Sequence, residues 1–190
     1  MPTKRETVTV ESFYTQHASQ LETKLVAGAG GLNRIIREPT VNRPGLALTG
    51  FTKYFAMKRV QVLGNAEFYY LRSLPKEERA SRYATLFHYA VPCCVFSRDL
   101  KPDKDFLKAA EEADVPVFTT SLITMKFINK ATIALETMFA PRGTEIGSMV
   151  DILGVGVIIK GESGIGKSES VLALVERGYS LVSDDITLVK

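Results

Sequence analysis

This chain of 190 residues has no long apolar stretch, no run of basic residues and no spaced cysteines. Nothing in it approaches the ~18 consecutive apolar residues of a membrane span. The opening MPTKRETVTV puts no apolar signal region behind its charges. The 24 basic and 21 acidic residues leave a net charge of only +3, and without a Lys/Arg run that excess makes no nucleic-acid footprint. The two cysteines, Cys93 and Cys94, are adjacent in an apolar run. Neighbours on a strand point to opposite faces, so no ordinary disulfide joins them, and without a C-x-x-C spacing neither zinc nor thioredoxin-like chemistry is indicated. They read as buried thiols. Histidine is equally scarce: His17 and His88 have no carboxylate or cysteine at ligand spacing, and read as structural or solvated. These absences predict a cytoplasmic protein with no nucleic-acid or membrane partner.

Hydrophobic residues at 45% and charged residues at 24% suffice for a globular core, and the length allows one large or two small domains. The most informative stretch is residues 161–168, GESGIGKS. It matches the phosphate-binding loop pattern G-x-x-x-x-G-K-[ST] at every fixed position. Four fixed positions match by chance on the order of once in a hundred chains this long. The preceding VGVII, residues 155–159, reads as a buried strand. After the loop, Val171, Leu174 and Val175 fall at helical spacing. Strand, glycine loop, helix is the context the motif needs. Backbone N–H groups of Gly161, Glu162, Ser163, Gly164, Ile165 and Gly166 can turn inward on phosphate oxygens, helped by the positive end of the helix. Lys167 then reaches the β- and γ-phosphates, and the Ser168 hydroxyl suits Mg²⁺. ATP and Mg²⁺ are the ligands this chemistry implies.

Along the rest of the chain, Thr9 predicts an N-cap and a helix to about His17, followed by a turn cluster at residues 28–31. Residues 35–41 read as a strand and residues 42–45 as a turn. Residues 59–63 alternate as a half-buried strand. Pro75 opens a helix carrying Tyr83, Leu86 and Phe87 on one face. Residues 91–96, 103–113 and 115–118 read as strand, helix and strand, a βαβ unit with parallel pairing. Residues 122–139 form the longest periodic helix, with Met125, Phe127, Ile128, Ile133, Leu135 and Met138 in its pattern; Ala140, Pro141 and Gly143 stop it. The fold class is therefore α/β, an N-terminal α/β domain over 1–140 and a P-loop domain starting at 141. Residues 148–154, 155–159, 179–182 and 186–189 are its strands. One helix and about four strands leave a nucleotide site poorly covered, so this second domain, 141–190, is expected to be truncated.

Asp184 and Asp185 end the strand after the loop–helix unit. A carboxylate there either serves phosphoryl transfer, as metal ligand or base, or simply makes a turn. Glu169, directly after the loop serine, either orients water or metal or is a helix-N-terminal acid.

The segment VDILGVGVIIKGESGIGKSESVLALVERGYSLVSDD resembles the core of the bacterial HPr kinase/phosphorylase family. The family's loop, G-x-S-G-x-G-K-S-E, is matched by Gly161, Ser163, Gly164, Gly166, Lys167, Ser168 and Glu169. Its arginine–glycine pair is Arg177–Gly178 and its double aspartate Asp184–Asp185. NRPGLALTGF, RVQVLGNAEFYYL and FINKATIALETMFAPR are similar to its N-terminal domain and connecting helix. The resemblance implies a two-domain, hexameric enzyme that uses ATP to phosphorylate a serine of the phosphocarrier HPr, and phosphate to remove it. It implies Asp184 as base towards the serine hydroxyl and Asp185 as support for the metal and loop. Two positions depart from the family: Ile146 stands where a histidine usually precedes Gly147, and Tyr179 where histidine often follows Arg–Gly. Isoleucine neither donates a hydrogen bond nor carries charge, which weakens the phosphate-dependent reverse reaction. A small-molecule kinase, or a nucleotide-binding regulator without transfer activity, is the alternative.

Overall fold

The computed structural model describes residues 7–189; the outermost parts of the two expected domains, residues 1–6 and 190, lie outside them. The described residues fall into two compact units, 7–139 and 140–189.

In the larger unit Thr9 caps the first helix, α1 (Val10–Leu21): its hydroxyl accepts from the Ser12 N–H while the Ser12 hydroxyl accepts from the Thr9 N–H. The helix runs a turn beyond His17 and stops where Glu22 takes a left-handed conformation. The unit continues through β1 (Thr23–Ala27), β2 (Val41–Asn42), α2 (Gly45–Leu48), β3 (Val60–Leu63), α3 (Asn65–Ser73) and α4 (Lys76–His88). It ends with β4 (Cys94–Phe96), α5 (Lys104–Glu112), β5 (Val117–Thr120) and α6 (Thr124–Phe139). The strands form one sheet in the order β1-β5-β4-β3-β2. β2 to β5 run parallel, and β1 joins the β5 edge antiparallel.

The predicted βαβ unit is β4–α5–β5, paired in parallel with Cys94 opposite Val117. Helices cover both faces, as a parallel sheet requires. On one face α1 and α6 pack on Val60, Val62, Cys93, Val95 and Phe118. On the other, α3, α4 and α5 pack on Leu63, Cys94, Phe96 and Val117. The adjacent cysteines thus enter opposite cores, both fully buried and free.

Several expectations are corrected here. The strand at residues 35–41 shrinks to Val41–Asn42, plus one bridge between Ile35 and Thr9. Pro39 interrupts it, because proline has no N–H to donate and restricts the residue before it. Residues 42–45 are not a plain turn: Asn42 belongs to β2 and Gly45 starts α2. β3 is buried on both faces instead of one. Its Gln61 is satisfied by donating to the Ala56 and Arg59 carbonyls and accepting from Asn42. β1 and α3 were not anticipated. Met125 and Ile133 lie on the exposed side of α6, whereas Phe127, Leu135 and Met138 face the core.

The smaller unit contains β6 (Gly143–Ile146), β7 (Ser148–Ile152), β8 (Val155–Ile159), α7 (Lys167–Glu176), β9 (Ser180–Ser183) and β10 (Ile186–Val189). β7 is the centre of a three-stranded sheet, antiparallel to β8 on one side and to β9 on the other. β8 and β9 therefore run in the same direction, and α7 makes the crossover between them. β6 and β10 pair separately. β7 and β8 meet through Leu153 and Gly154, both at positive φ. The expected buried strand before the glycine loop is instead an edge strand with Val155, Gly156 and Val157 exposed. The reason is the crossover: α7 packs mainly over β7 and β9.

Candidate functional site

The glycine loop joins β8 to α7 as the motif predicts. Gly164 and Gly166 have φ of 82° and 96°, in the left-handed region that favours glycine, and the second directly precedes the helix. A Cβ added at Gly164 would meet nothing within 4 Å, so the loop's outer side is open. Ser168 and Glu169 fall in the first turn of α7 and are exposed. The Lys167 ammonium folds over the loop and donates to the carbonyls of Gly161 at 2.7 Å and Glu162 at 2.6 Å. Among the described residues no carboxylate pairs with it. A cation held only by neutral carbonyls, beside a helix N-terminus, is arranged to accept an anion.

The second half of the site is the Asp184–Asp185 turn between β9 and β10. Oδ1 of Asp184 accepts from the Ser148 hydroxyl at 2.5 Å and from the Asp185 N–H at 3.1 Å. Its Oδ2 has no partner among the described residues. Asp185 takes a left-handed φ of 62°, and its carboxylate is likewise unpartnered there. The turn is fastened to Gly147 from both sides: the Gly147 N–H donates to the Asp185 carbonyl, and the buried Thr187 hydroxyl donates to the Gly147 carbonyl. Gly147 also abuts the end of β8, where an added Cβ would lie 2.6 Å from the Ile159 carbonyl oxygen. Gly147 and Ser148 thus touch both the strand that leads into the glycine loop and the turn that carries the aspartates. β8 and β9 flank β7, so the two parts stand about two strand spacings, roughly 10 Å, apart. Beside this junction Lys160 pairs with Glu145, and that hydrogen bond and charge hold the Glu145 carboxyl below its usual value.

Ile146 sits at the end of β6 opposite Ile186, 79% exposed. It contributes no polar atom at a point where the chain turns into the aspartate clamp. Tyr179 is half-buried. Ser148 and Thr187 were not singled out from the sequence. The signal that finds Ser148 is register: Met149 pairs with Ser183, which puts Ser148 level with Asp184 across the β7–β9 ladder. That pairing is a long-range fact that no local pattern carries.

Residues 8–135 match the family model described as HPr Serine kinase N terminus, and residues 137–190 the one described as HPr Serine kinase C-terminal domain. The chain belongs to the HPr kinase family. A protein of Chloroherpeton thalassium named HPr kinase/phosphorylase is 42% identical over 99% of this chain and 56% of its own length. One of the same name from Leptospira biflexa is 37% identical over 96% of this chain and 56% of its own length. The chain thus spans little more than half the length of these HPr kinase relatives. Among solved structures, the CBS and DRTGG domains of the regulatory region of Clostridium perfringens pyrophosphatase, complexed with diadenosine tetraphosphate, align at 10% identity. That alignment has a TM-score of 0.48 over 74% of this chain and 56% of the other, too slight a likeness to bear on fold or function.

Proposed function

We propose that this chain belongs to an enzyme that transfers the γ-phosphoryl group of ATP to a serine of the phosphocarrier HPr. One observation carries the reading: Gly147–Ser148 joins a lysine-bearing glycine loop to a turn whose Asp184 has one oxygen held and one free. In this reading Lys167 leaves the loop carbonyls for the phosphate oxygens of ATP. The loop N–H groups and the start of α7 hold the same phosphates. Asp184 takes the proton of the attacking serine hydroxyl at Oδ2, a role that contributes roughly 10²–10⁴ in rate. Ser168 and Asp185 supply the hydroxyl and carboxylate oxygens that a Mg²⁺ ion accepts, and such sites use one or two carboxylates completed by water and phosphate. Mg²⁺, when bound, would neutralise the charge on the phosphates.

Ile146 favours a second, narrower reading in which the kinase direction is retained and the phosphate-dependent reversal is lost. An exposed isoleucine has no proton to give or take there.

The test is transfer of radiolabelled phosphate from ATP to purified HPr by the natural full-length protein. Label on HPr serine, abolished in Asp184→Asn with ATP affinity retained, supports the reading. No label on HPr despite ATP binding refutes it, and label on a small metabolite replaces it with a small-molecule kinase. Ile146→His is expected to gain phosphate-dependent dephosphorylation; if it does not, the argument from Ile146 fails.

A further inference from the structure

The larger unit carries a cavity that the proposed reaction does not use. It lies at the carboxyl end of β4, between α3, α4 and the loop that leads into α5, with a volume of about 210 Å³. Crevices at the carboxyl ends of parallel strands are where α/β sheets take ligands.

Its walls combine aromatic rings with an excess of cations. Phe68 and Phe96 are on the apolar side; Arg72, Arg79 and Lys101 are on the polar side. Among the described residues the only carboxylate in the lining is Asp103, and it is already committed. Oδ1 caps α5 through the Phe106 N–H at 2.8 Å, and Oδ2 accepts from the Tyr83 hydroxyl at 2.7 Å. The Arg79 Nε lies 3.5 Å from that same Oδ2, close enough for an ion pair, but this buried nitrogen makes no hydrogen bond among the described residues. The ion pair offsets its charge but leaves its N–H without a hydrogen bond, a state a native protein normally relieves. Arg72 rests against the Phe68 ring, and neither it nor Lys101 pairs with a carboxylate among the described residues. Three cations against one carboxylate leave the lining at a net charge of +2.

We infer that this cavity is a binding site for a small organic phosphate, with the phosphate on Arg72, Arg79 and Lys101 and its apolar body against Phe68 and Phe96. The charge argues for phosphate over carboxylate: a phosphate monoester carries about −1.5 to −2 near neutral pH, which matches the lining, whereas one carboxylate leaves it uncompensated. The size excludes a nucleotide triphosphate. Drug-sized ligands occupy roughly 300–1,000 Å³, so this space takes a single ring or a short chain. The site is separate from the glycine loop in residue content and in the unit that builds it.

The test is an NMR titration of the 190-residue chain, carried out in a Lys167→Ala background so that the glycine loop does not take the probe. Phenyl phosphate, benzoate and inorganic phosphate are added separately at low ionic strength. The expected result is saturable amide shifts around Phe68, Arg72 and Lys101 with phenyl phosphate, at least tenfold weaker binding of benzoate and of inorganic phosphate, and loss of the response in Arg72→Gln/Lys101→Gln. Both of those residues are exposed, so the double variant keeps the fold. No saturable shift up to about 10 mM phenyl phosphate, an affinity too weak to matter, overturns the proposal. Equal binding by the double variant also overturns it. Equal affinity for inorganic and phenyl phosphate removes the apolar wall from the site and refutes the organic part.

Discussion

Ser148 acts on Asp184 through one hydrogen bond, and under the proposed reaction that bond decides which carboxylate oxygen takes the serine proton. Oδ1 is taken by the Ser148 hydroxyl and the Asp185 N–H, and Oδ2 is left without a partner among the described residues. Removing the hydroxyl frees the carboxylate to rotate without touching the glycine loop. Ser148→Ala in the full-length protein should therefore lower kcat for HPr phosphorylation by roughly ten- to a hundredfold, the worth of one hydrogen bond to a charged group. KM for ATP should stay unchanged and Ser148→Thr should restore the rate. Equal loss in kcat and ATP affinity would mean the serine is merely holding the sheet together. The two cysteines show burial acting on a different chemistry. Burial pushes the Cys93 thiol up to about 12 from its ordinary 9.0, and Cys94 is raised too, first by burial and then by its neighbour's charge. Because the folded values lie above the unfolded ones, their contribution to stability is complete below pH 9.0 and is lost as pH rises towards about 12. The urea midpoint should fall across that alkaline range, and a thiol reagent should leave both cysteines unmodified in native chain while labelling both in urea.

Elements carry their own strengths and faults. α1 is stopped and started by its own residues, Thr9 and Ser12 at one end and left-handed Glu22 at the other, which is why its start was legible in the sequence. The β7–β8 hairpin is less well specified. Its two-residue turn holds Leu153 at φ 54° and Gly154 at φ 84°, and Leu153 is 89% exposed. A γ-branched residue gains nothing there, while asparagine tolerates both positive φ and the Asn-Gly turn geometry. Leu153→Asn should stabilise the hairpin by about 0.5–1 kcal/mol, read as a higher melting temperature. A drop would show that Leu153 is held by an apolar contact. The strand elements also explain two misreadings. A run of alternating residues at 59–63 suggested one wet face, yet β3 sits centrally in a parallel sheet and both faces are covered. The apolar run at 155–159 suggested burial, yet it forms an edge strand. Hydropathy reports what a strand can tolerate; neighbours determine what it meets.

The two units differ in how much they bury. The larger has an apolar core on each face of its sheet, while the smaller fully buries only Val150 and Val171 among its large apolar side chains in the described residues. Leu153, Val155, Ile165, Leu172, Val182 and Ile186 stay exposed. Stability follows buried apolar area, so amides of 140–189 should exchange with solvent faster than those of β3, β4 and β5. Hydrogen exchange resolved by residue tests this, and equal protection in both units would mean that polar clamps such as Gly147 with Asp185 carry more than their ordinary share. Saturating Mg·ATP should slow exchange in 161–185 if the site binds nucleotide, by the ordinary linkage between binding and stability.

The local chemistry is legible in the order of residues: a strand–glycine loop–helix unit, a capped first helix, a βαβ unit, and a pair of aspartates after the next strand. Each depends on spacing within a few residues, and backbone geometry translates that spacing directly. The family resemblance was legible for the same reason, because its motif is contiguous. Three arrangements come instead from the folded chain: Ser148 faces Asp184, Gly147 fastens the aspartate turn beside the loop, and Arg72, Arg79 and Lys101 surround one cavity. Those facts rest on strand register between residues more than 30 apart, as for Ser148 and Asp184, or on helices and loops that no single-sequence pattern brings together. Pairing energy is shared among many weak contacts, so no one residue announces it.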